Sequence, residues 1–210
     1  MTSQGTRDRL VRRLRENGIA DERVLQAIAD VPRHEFVDEA LSSRSYEDTA
    51  LPIGLSQTIS QPWIVARMTE TVLDGRTPEK ILEIGTGSGY QAAVLAHLVP
   101  QVFTVERIEE LLNAARRRFH DLRFNNIYTR HFDGRMGWSS QAPFDGIVVT
   151  AAAVEIPSEL PKQLNMGGIM VLPLERNGNQ RLISIRRTED GFEEKDLGGV
   201  IFVPLLSGLS

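Results

Sequence analysis

The chain has 210 residues, a formal net charge of −4 and no cysteine. This length fits one domain, which buries enough surface to fold without a disulfide or a metal. The lack of cysteine excludes disulfides, thiolate metal sites and a cysteine nucleophile. The excess of acidic residues (28 against 24 Lys and Arg) argues against a broadly basic nucleic-acid-binding surface. No apolar run is long enough for a signal peptide or a membrane span, so we expect a cytoplasmic protein.

Residues 1–79 are predicted to form a helical N-terminal segment. Apolar residues recur at helical spacing over residues 6–17, where arginines cover the rest of the surface, and over residues 21–31. A third helix is predicted to begin at Pro62, and residues 42–61 are predicted to be irregular. We expect this segment to pack on the rest of the chain and to carry substrate-site residues.

Residues 80–210 are predicted to form an α/β core, because short apolar strands alternate there with helical segments. Helices are predicted at residues 89–98, 108–122 and 158–163. Strands are predicted at residues 81–84, 102–106, 126–131, 146–150, 169–174, 182–187 and 200–205. Apolar strands joined by helices form doubly wound parallel sheets, so we expect a mostly parallel seven-stranded, Rossmann-like sheet within one compact domain. Few helices follow residue 167, which indicates an antiparallel hairpin at one edge.

A glycine-rich loop follows the first strand of this core. Ligands bind at such strand ends in open α/β sheets, and glycine lets the backbone approach them closely. The G-x-G-x-G spacing differs from the dinucleotide pattern G-x-G-x-x-G, and the preceding acid would repel a pyrophosphate. A cationic cofactor without phosphate fits better, which indicates S-adenosylmethionine. The predicted cofactor contacts here are Glu83, Gly85, Thr86, Gly87, Ser88 and Gly89.

Three further strand ends carry candidate site residues. Glu106 ends the second strand, where a carboxylate accepts ribose hydroxyls; the alternative is a surface charge. Asp133 and Gly134 end the third strand, where the aspartate would accept the adenine amino group; the alternative is a simple turn. Thr150 and the alanines after it end the fourth strand, where small residues suit a methyl-transfer channel; the alternative is close helix packing.

Residues 57–62 form the second informative segment. Ser60 stands just before the proline-led helix. Serine is a preferred N-cap residue and proline is favoured in the first helical turn, so spacing alone favours capping as the role of Ser60.

Together these segments resemble the protein-L-isoaspartate (D-aspartate) O-methyltransferase family over about residues 20–207. The glycine loop alone indicates a methyltransferase, and residues 57–62 narrow the resemblance to this family. Ser56 and Ile201 depart from the family pattern. The matching segments are residues 32–33, 36–37, 51–54, 57–62, 81–93, 106–107, 133–134, 144–145, 150–153 and 202–205.

The resemblance implies methyl transfer from S-adenosylmethionine to the free α-carboxylate of L-isoaspartyl residues in damaged proteins and peptides. The β-carboxylate of D-aspartyl residues is a further expected acceptor, S-adenosylhomocysteine is the by-product, and the ester starts repair through a succinimide. Ser60 becomes the expected catalytic residue, which orients the acceptor carboxylate. The expected substrate contacts are Thr58, Ile59, Ser60, Ala151, Val203 and Leu205.

An α-carboxylate is already ionised at neutral pH, so no general base is required. We therefore expect the four histidines to be structural, and we expect no metal. We expect the protein to act on damaged proteins and peptides and to bind neither nucleic acid nor membranes. We also expect it to be a monomer.

Three alternative functions share the cofactor loop. One is a nucleic-acid methyltransferase, such as an enzyme acting on tRNA. Enzymes that methylate adenine N6 carry an Asp/Asn-Pro-Pro-aromatic segment after the fourth strand, where this chain has alanines after Thr150. Enzymes that methylate pyrimidine C5 need a cysteine nucleophile, and this chain has no cysteine. A small-molecule O-methyltransferase that acts on a phenol would need a base or a metal. A non-catalytic cofactor-binding module would need no acceptor residues.

Overall fold

The computed structural model describes residues 4–210. Its helices are α1 (Gln4–Glu16), α2 (Glu22–Asp30), α3 (Pro62–Leu73), α4 (Tyr90–Ala96), α5 (Glu109–Asp121) and α6 (Glu159–Lys162). Its strands are β1 (Leu51–Gly54), β2 (Gln57–Ile59), β3 (Lys80–Ile84), β4 (Gln101–Glu106), β5 (Ile127–His131), β6 (Phe144–Val149), β7 (Leu164–Arg176), β8 (Asn179–Thr188) and β9 (Gly191–Gly199). No helix among these residues is long and apolar enough to cross a membrane.

The three predicted N-terminal helices are confirmed, but the irregular structure predicted for residues 42–61 is wrong in part. Strands β1 and β2 form an antiparallel hairpin in which Leu51 pairs with Ile59. Its tip holds Leu55 and Ser56 at φ values of 51° and 58°. Two consecutive left-handed residues make the tight turn that suits a hairpin, and glycine or asparagine usually occupies it. Without either residue at these positions, the sequence gives no hairpin signal.

The seven-stranded sheet has the order β5-β4-β3-β6-β7-β8-β9. Strands β5, β4, β3, β6 and β7 are parallel, and β8 and β9 extend the sheet as antiparallel strands. The predicted α/β fold with a mostly parallel sheet and an antiparallel edge is therefore confirmed. Because β3 lies between β4 and β6, the carboxyl ends of these three strands meet at one edge of the sheet.

The last predicted strand, at residues 200–205, is wrong. The last strand is β9, which pairs along one side with β8 and is largely exposed. Its polar residues give no apolar pattern, which is why it was not predicted. Residues 200–205 instead cross the sheet edge, where Ala152 N donates to Val203 O (2.8 Å) and Leu205 N donates to Ala152 O (2.7 Å). Their apolar character reflects this packing.

The N-terminal helices share a hydrophobic core with the sheet. One cluster of buried side chains includes Leu10 of α1, Leu25 of α2, Met68 of α3 and Val148 of β6. This packing fixes residues 57–62, between β2 and α3, against the edge where β3 and β6 end.

Candidate active site

A cavity of about 840 Å³, including its open mouth, lies at the carboxyl ends of β3, β4 and β6. It is lined by every predicted site residue except Gly89 and Asp133, and thus by Thr58, Ile59, Ser60, Glu83, Gly85, Thr86, Gly87, Ser88, Glu106, Gly134, Thr150, Ala151, Val203 and Leu205.

The glycine loop connects β3 to α4, and its conformation requires glycine. Gly85 has a φ of 95°, and a Cβ there would overlap Thr150 Oγ1. That hydroxyl donates a hydrogen bond of 2.7 Å to Gly85 O, which holds the end of β6 against the loop. Gly89 also has a positive φ, and a Cβ there would overlap the Phe119 ring of α5. Gly89 thus supports the loop from behind.

Glu106 at the end of β4 is held by three backbone amides. Its Oε1 accepts hydrogen bonds from Arg107 N (2.8 Å) and Ile108 N (3.0 Å), and its Oε2 accepts one from Gly87 N (2.9 Å). Each carboxylate oxygen has two acceptor positions, so one position on Oε2 is left for a ligand. The carboxylate is therefore fixed before any ligand binds.

Glu83 is fully buried in the cavity wall. Thr104 Oγ1 donates to its Oε2, while its Oε1 has no hydrogen-bond partner within residues 4–210. Burial raises the pKa of Glu83 to about 8; the nearby Glu106 carboxylate adds to the shift and the Thr104 hydrogen bond opposes it. The wall thus contains a buried acid with an oxygen left unpaired, which suits a cationic ligand.

Ser60 does not cap α3, contrary to the expectation from spacing alone. The N-cap residue is Gln61, which makes no side-chain capping bond. Asp48 does the capping from a distance, because its Oδ1 accepts a hydrogen bond of 2.8 Å from Trp63 N. Ser60 lines the cavity, and its hydroxyl forms no hydrogen bond with the residues the structure describes.

Asp133 does not line the cavity, although the neighbouring Gly134 does. Its Oδ1 accepts from Arg135 N (2.9 Å), and its Oδ2 accepts from Gly208 N (2.8 Å). The carboxylate therefore caps a short helical turn and fastens the C-terminal segment. The adenine contact of Asp133 stays a prediction.

Several residues that line the cavity were not predicted as site residues, although the sequence pattern around some of them could have identified them. Ile108 follows Glu106 by two positions and lines the cavity beside it. An apolar residue just after a strand-end acid is a pattern that could have identified it. Tyr90 and Gln91 follow the glycine loop, and Gln91 Nε2 donates to Thr69 Oγ1 (2.9 Å).

The structural role expected for the four histidines stays a prediction. None of them lines the cavity. His34 Nδ1 lies 2.9 Å from the Tyr46 hydroxyl, and His131 Nε2 lies 2.9 Å from Arg107 O. Residues 4–210 contain no cluster of three His, Asp or Glu side chains that could hold a metal ion.

Comparison with known proteins identifies relatives along the whole chain. The family model described as protein-L-isoaspartate(D-aspartate) O-methyltransferase matches residues 5–210. A protein-L-isoaspartate O-methyltransferase of Stenotrophomonas maltophilia is 60% identical over 210 residues, which cover 100% of this chain and 92% of that protein. The Halorhodospira halophila protein of the same name is 57% identical over 208 residues, covering 99% and 94% of the two chains.

Solved structures give the same result. A structure of a protein-L-isoaspartate O-methyltransferase matches with a TM-score of 0.88 and 26% identity, covering 97% of this chain and 67% of that one. A Plasmodium falciparum beta-aspartate methyltransferase, crystallised with S-adenosyl-L-homocysteine, matches with a TM-score of 0.82 and 25% identity, covering 94% and 96%. The chain therefore belongs to the protein-L-isoaspartate(D-aspartate) O-methyltransferase family.

Proposed function

We propose that this chain is an enzyme that transfers a methyl group from S-adenosylmethionine to the free α-carboxylate of L-isoaspartyl residues in damaged proteins and peptides. The β-carboxylate of D-aspartyl residues is a second acceptor, and the ester begins repair through a succinimide. One observation carries this proposal beyond family membership. The glycine loop and Ser60, whose hydroxyl has no hydrogen-bond partner among residues 4–210, line the same cavity, so the proposed cofactor and acceptor elements meet there.

The cavity fits S-adenosylmethionine on its chemistry. Glu83 Oε1 is a buried acceptor without a protein partner, which suits a cation. Glu106 offers a remaining acceptor position to a ribose hydroxyl, and the glycine loop lets the ligand approach the backbone. The proposed cofactor contacts are Glu83, Gly85, Thr86, Gly87, Ser88, Glu106, Gly134 and Thr150, with Ile108 added from its position in the wall. Gly89 acts by supporting the loop.

The proposed substrate contacts come from three parts of the chain that meet at the cavity. Thr58 and Ser60 lie between β2 and α3, Ala151 follows β6, and Val203 and Leu205 belong to the C-terminal segment. Backbone hydrogen bonds join Ala152 to Val203 and Leu205, so the last two parts are held together. Ile59, at the end of β2, is mostly buried and also lines the cavity.

When bound, S-adenosylmethionine supplies an electrophilic methyl group on its sulfonium sulfur. The acceptor carboxylate has a pKa of about 3.5 and is ionised at neutral pH, so the chain need not supply a base. Transfer neutralises both charges, so strong donors to the carboxylate would stabilise the ground state more than the transition state. One hydroxyl, that of Ser60, is enough to orient a carboxylate oxygen towards the methyl carbon, and alignment supplies most of the acceleration.

The direct test is transfer of tritiated methyl groups from S-adenosylmethionine to three acceptors. These are an isoaspartyl peptide, its normal aspartyl twin and tRNA. We expect base-labile label on the isoaspartyl peptide alone. Its isoaspartyl residue is linked to the next residue through the side chain, which leaves the α-carboxylate of that residue free, whereas the normal aspartyl residue has no free α-carboxylate. Label on tRNA, or equal label on both peptides, would contradict the proposal. Action as a monomer in the cytoplasm, without nucleic acid or membrane partners, stays a prediction.

A further inference from the structure

Arg33 is a buried arginine that does not line the cavity but contacts Ser60, which does. It belongs to the short helical turn Arg33–Phe36 and is 0% exposed. Its Nη2 donates a hydrogen bond of 2.7 Å to Ser60 O, and its Nε donates one of 2.7 Å to Ser45 O. The guanidinium therefore ties the backbone of Ser60 to a second segment of the chain.

The same guanidinium also contacts the cofactor side of the cavity. Its Cζ lies 4.6 Å from the centre of the Tyr90 ring, within the range of a cation–π interaction. Tyr90 is the first residue of α4, follows the glycine loop directly and lines the cavity. Arg33 thus bridges the Ser60 segment and the end of the cofactor loop.

Asp48 holds the same segment from its other end. It accepts the hydrogen bond from Trp63 N, three residues after Ser60. Its negative charge also favours the charged form of the Arg33 guanidinium. The backbone of residues 60–63 is therefore fastened at two points by side chains from the N-terminal segment. The Ser60 hydroxyl itself makes no bond that would fix it, so its place in the cavity depends on this backbone anchoring.

Burying this charge is expensive. Arg33 has no carboxylate within ion-pair distance among residues 4–210, and its Nη1 has no hydrogen-bond partner. Burial lowers the pKa of Arg33. An apolar side chain of similar volume would fill the same space without this cost. Unlike an apolar side chain, Arg33 forms two hydrogen bonds to carbonyl oxygens and a contact with the Tyr90 ring. These interactions hold Ser45, Ser60 and Tyr90 in fixed positions relative to one another.

We propose that Arg33 is a positioning residue for methyl transfer, which acts by holding Ser60 at a fixed distance from the cofactor loop. This inference rests on the proposed function. It assigns Arg33 no contact with either ligand. Displacements of about 1 Å between reacting groups cost about 100-fold in rate, so loss of this anchor should reduce turnover strongly.

The test is a double-mutant cycle between Arg33→Lys and Ser60→Ala, measured as kcat on an isoaspartyl peptide. Arg33→Lys keeps the positive charge but cannot bind both carbonyls with the same planar group. We expect Arg33→Lys to lower kcat about 10- to 100-fold. The cofactor dissociation constant, measured by calorimetry, should change much less than kcat. The double variant should be no slower than the slower single variant, because both act through one hydroxyl.

Arg76→Lys is the matched control. Arg76 is half-buried and donates through Nη1 to Gly167 O (3.0 Å), near the start of β7 and away from the cavity. This variant should keep wild-type kcat, whatever it does to the melting temperature. Arg33→Met provides a second variant that removes both hydrogen bonds and the charge, and it should lower kcat at least as much as Arg33→Lys.

Three results would overturn the positioning role. Wild-type kcat in folded Arg33→Lys would do so, as would multiplicative effects of Arg33→Lys and Ser60→Ala. Loss of cofactor binding in both Arg33 variants would also do so, because Arg33 would then be needed for the fold itself. Failure of the proposed function would look different, since the wild-type enzyme would not methylate the isoaspartyl peptide. That result would overturn both proposals.

Discussion

The Gly87 amide donates a hydrogen bond of 2.9 Å to Oε2 of Glu106, which joins the glycine loop after β3 to the end of β4. The carboxylate of Glu106 is thereby oriented by the loop that it faces. Two more amides, from Arg107 and Ile108, bind its other oxygen. The loop and the acid therefore form one rigid unit, which should bind the cofactor without rearrangement.

Replacing Glu106 should weaken cofactor binding. Glu106→Ala removes both the proposed ribose acceptor and the bond to Gly87, and hydrogen bonds to charged groups contribute about 1.5–3 kcal/mol. We expect the dissociation constant of S-adenosylmethionine to rise at least about tenfold by calorimetry. Glu110→Ala is the control, because Glu110 is exposed in the first turn of α5. Equal affinity of Glu106→Ala and the control would rule out the ribose role.

Ser60→Ala should separate turnover from binding and from stability. The hydroxyl is expected to orient the acceptor carboxylate, so kcat on an isoaspartyl peptide should fall about tenfold or more. Because Ser60 does not cap α3 and its hydroxyl makes no bond within the described residues, the melting temperature should not change. Cofactor affinity should also stay near the wild-type value. Unchanged kcat would remove Ser60 from the catalytic site.

Asp48→Ala should lower the stability of the protein. Asp48 Oδ1 accepts from Trp63 N in the first turn of α3, and loss of such a cap costs about 1 kcal/mol. Urea unfolding should therefore show a lower midpoint with the same slope. Asp38→Ala is a useful comparison, because Asp38 caps only the short turn Glu39–Arg44. A midpoint for Asp48→Ala equal to that of the wild type would exclude the remote cap.

Glu83 should make cofactor binding depend on pH. With its pKa raised to about 8 by burial, Glu83 is mostly protonated in the free protein at pH 7. A bound cation favours the ionised form, so binding should release a proton. The affinity for S-adenosylmethionine should then rise as the pH increases from 6 to 8.

Calorimetry in two buffers of different ionisation enthalpy measures this proton release. The apparent binding enthalpies of the wild-type protein should differ at pH 7, while those of Glu83→Gln should be equal. Glutamine keeps an acceptor for the Thr104 hydroxyl, so the variant removes the charge with little change in shape. Equal enthalpies for the wild-type protein in both buffers would show that Glu83 does not change its ionisation on binding.

Much of the fold could be predicted because its signals are local. Apolar strands, the glycine loop and Pro62 each mark an element through residues close together in sequence. Strand β9 and the β1–β2 hairpin could not be predicted in the same way. β9 is a polar edge strand that pairs only with β8, and the hairpin turns at Leu55 and Ser56 against their usual backbone preference.

The residues of the candidate site also fall into those that local sequence signals predict and those that they do not. Glu83, the glycine loop and Glu106 follow strand ends, so their common edge follows from the topology of the sheet. The capping role of Asp48, the anchoring role of Arg33 and the bond between Asp133 and Gly208 depend on contacts between distant residues. Arg33 and Ser60, for example, are 27 residues apart. Spacing alone therefore predicts that Ser60 caps α3, although Asp48 provides the cap.

The most direct test of the central proposal is to locate the methyl group on the product. The wild-type protein would be incubated with S-adenosylmethionine and an equal mixture of an isoaspartyl peptide and its aspartyl twin. Tandem mass spectrometry would then find the modified carboxyl group. We expect a methyl ester on the α-carboxylate of the isoaspartyl residue, followed by succinimide formation, and no ester on the twin. Equal methylation of both peptides, or none of either, would contradict the proposed function.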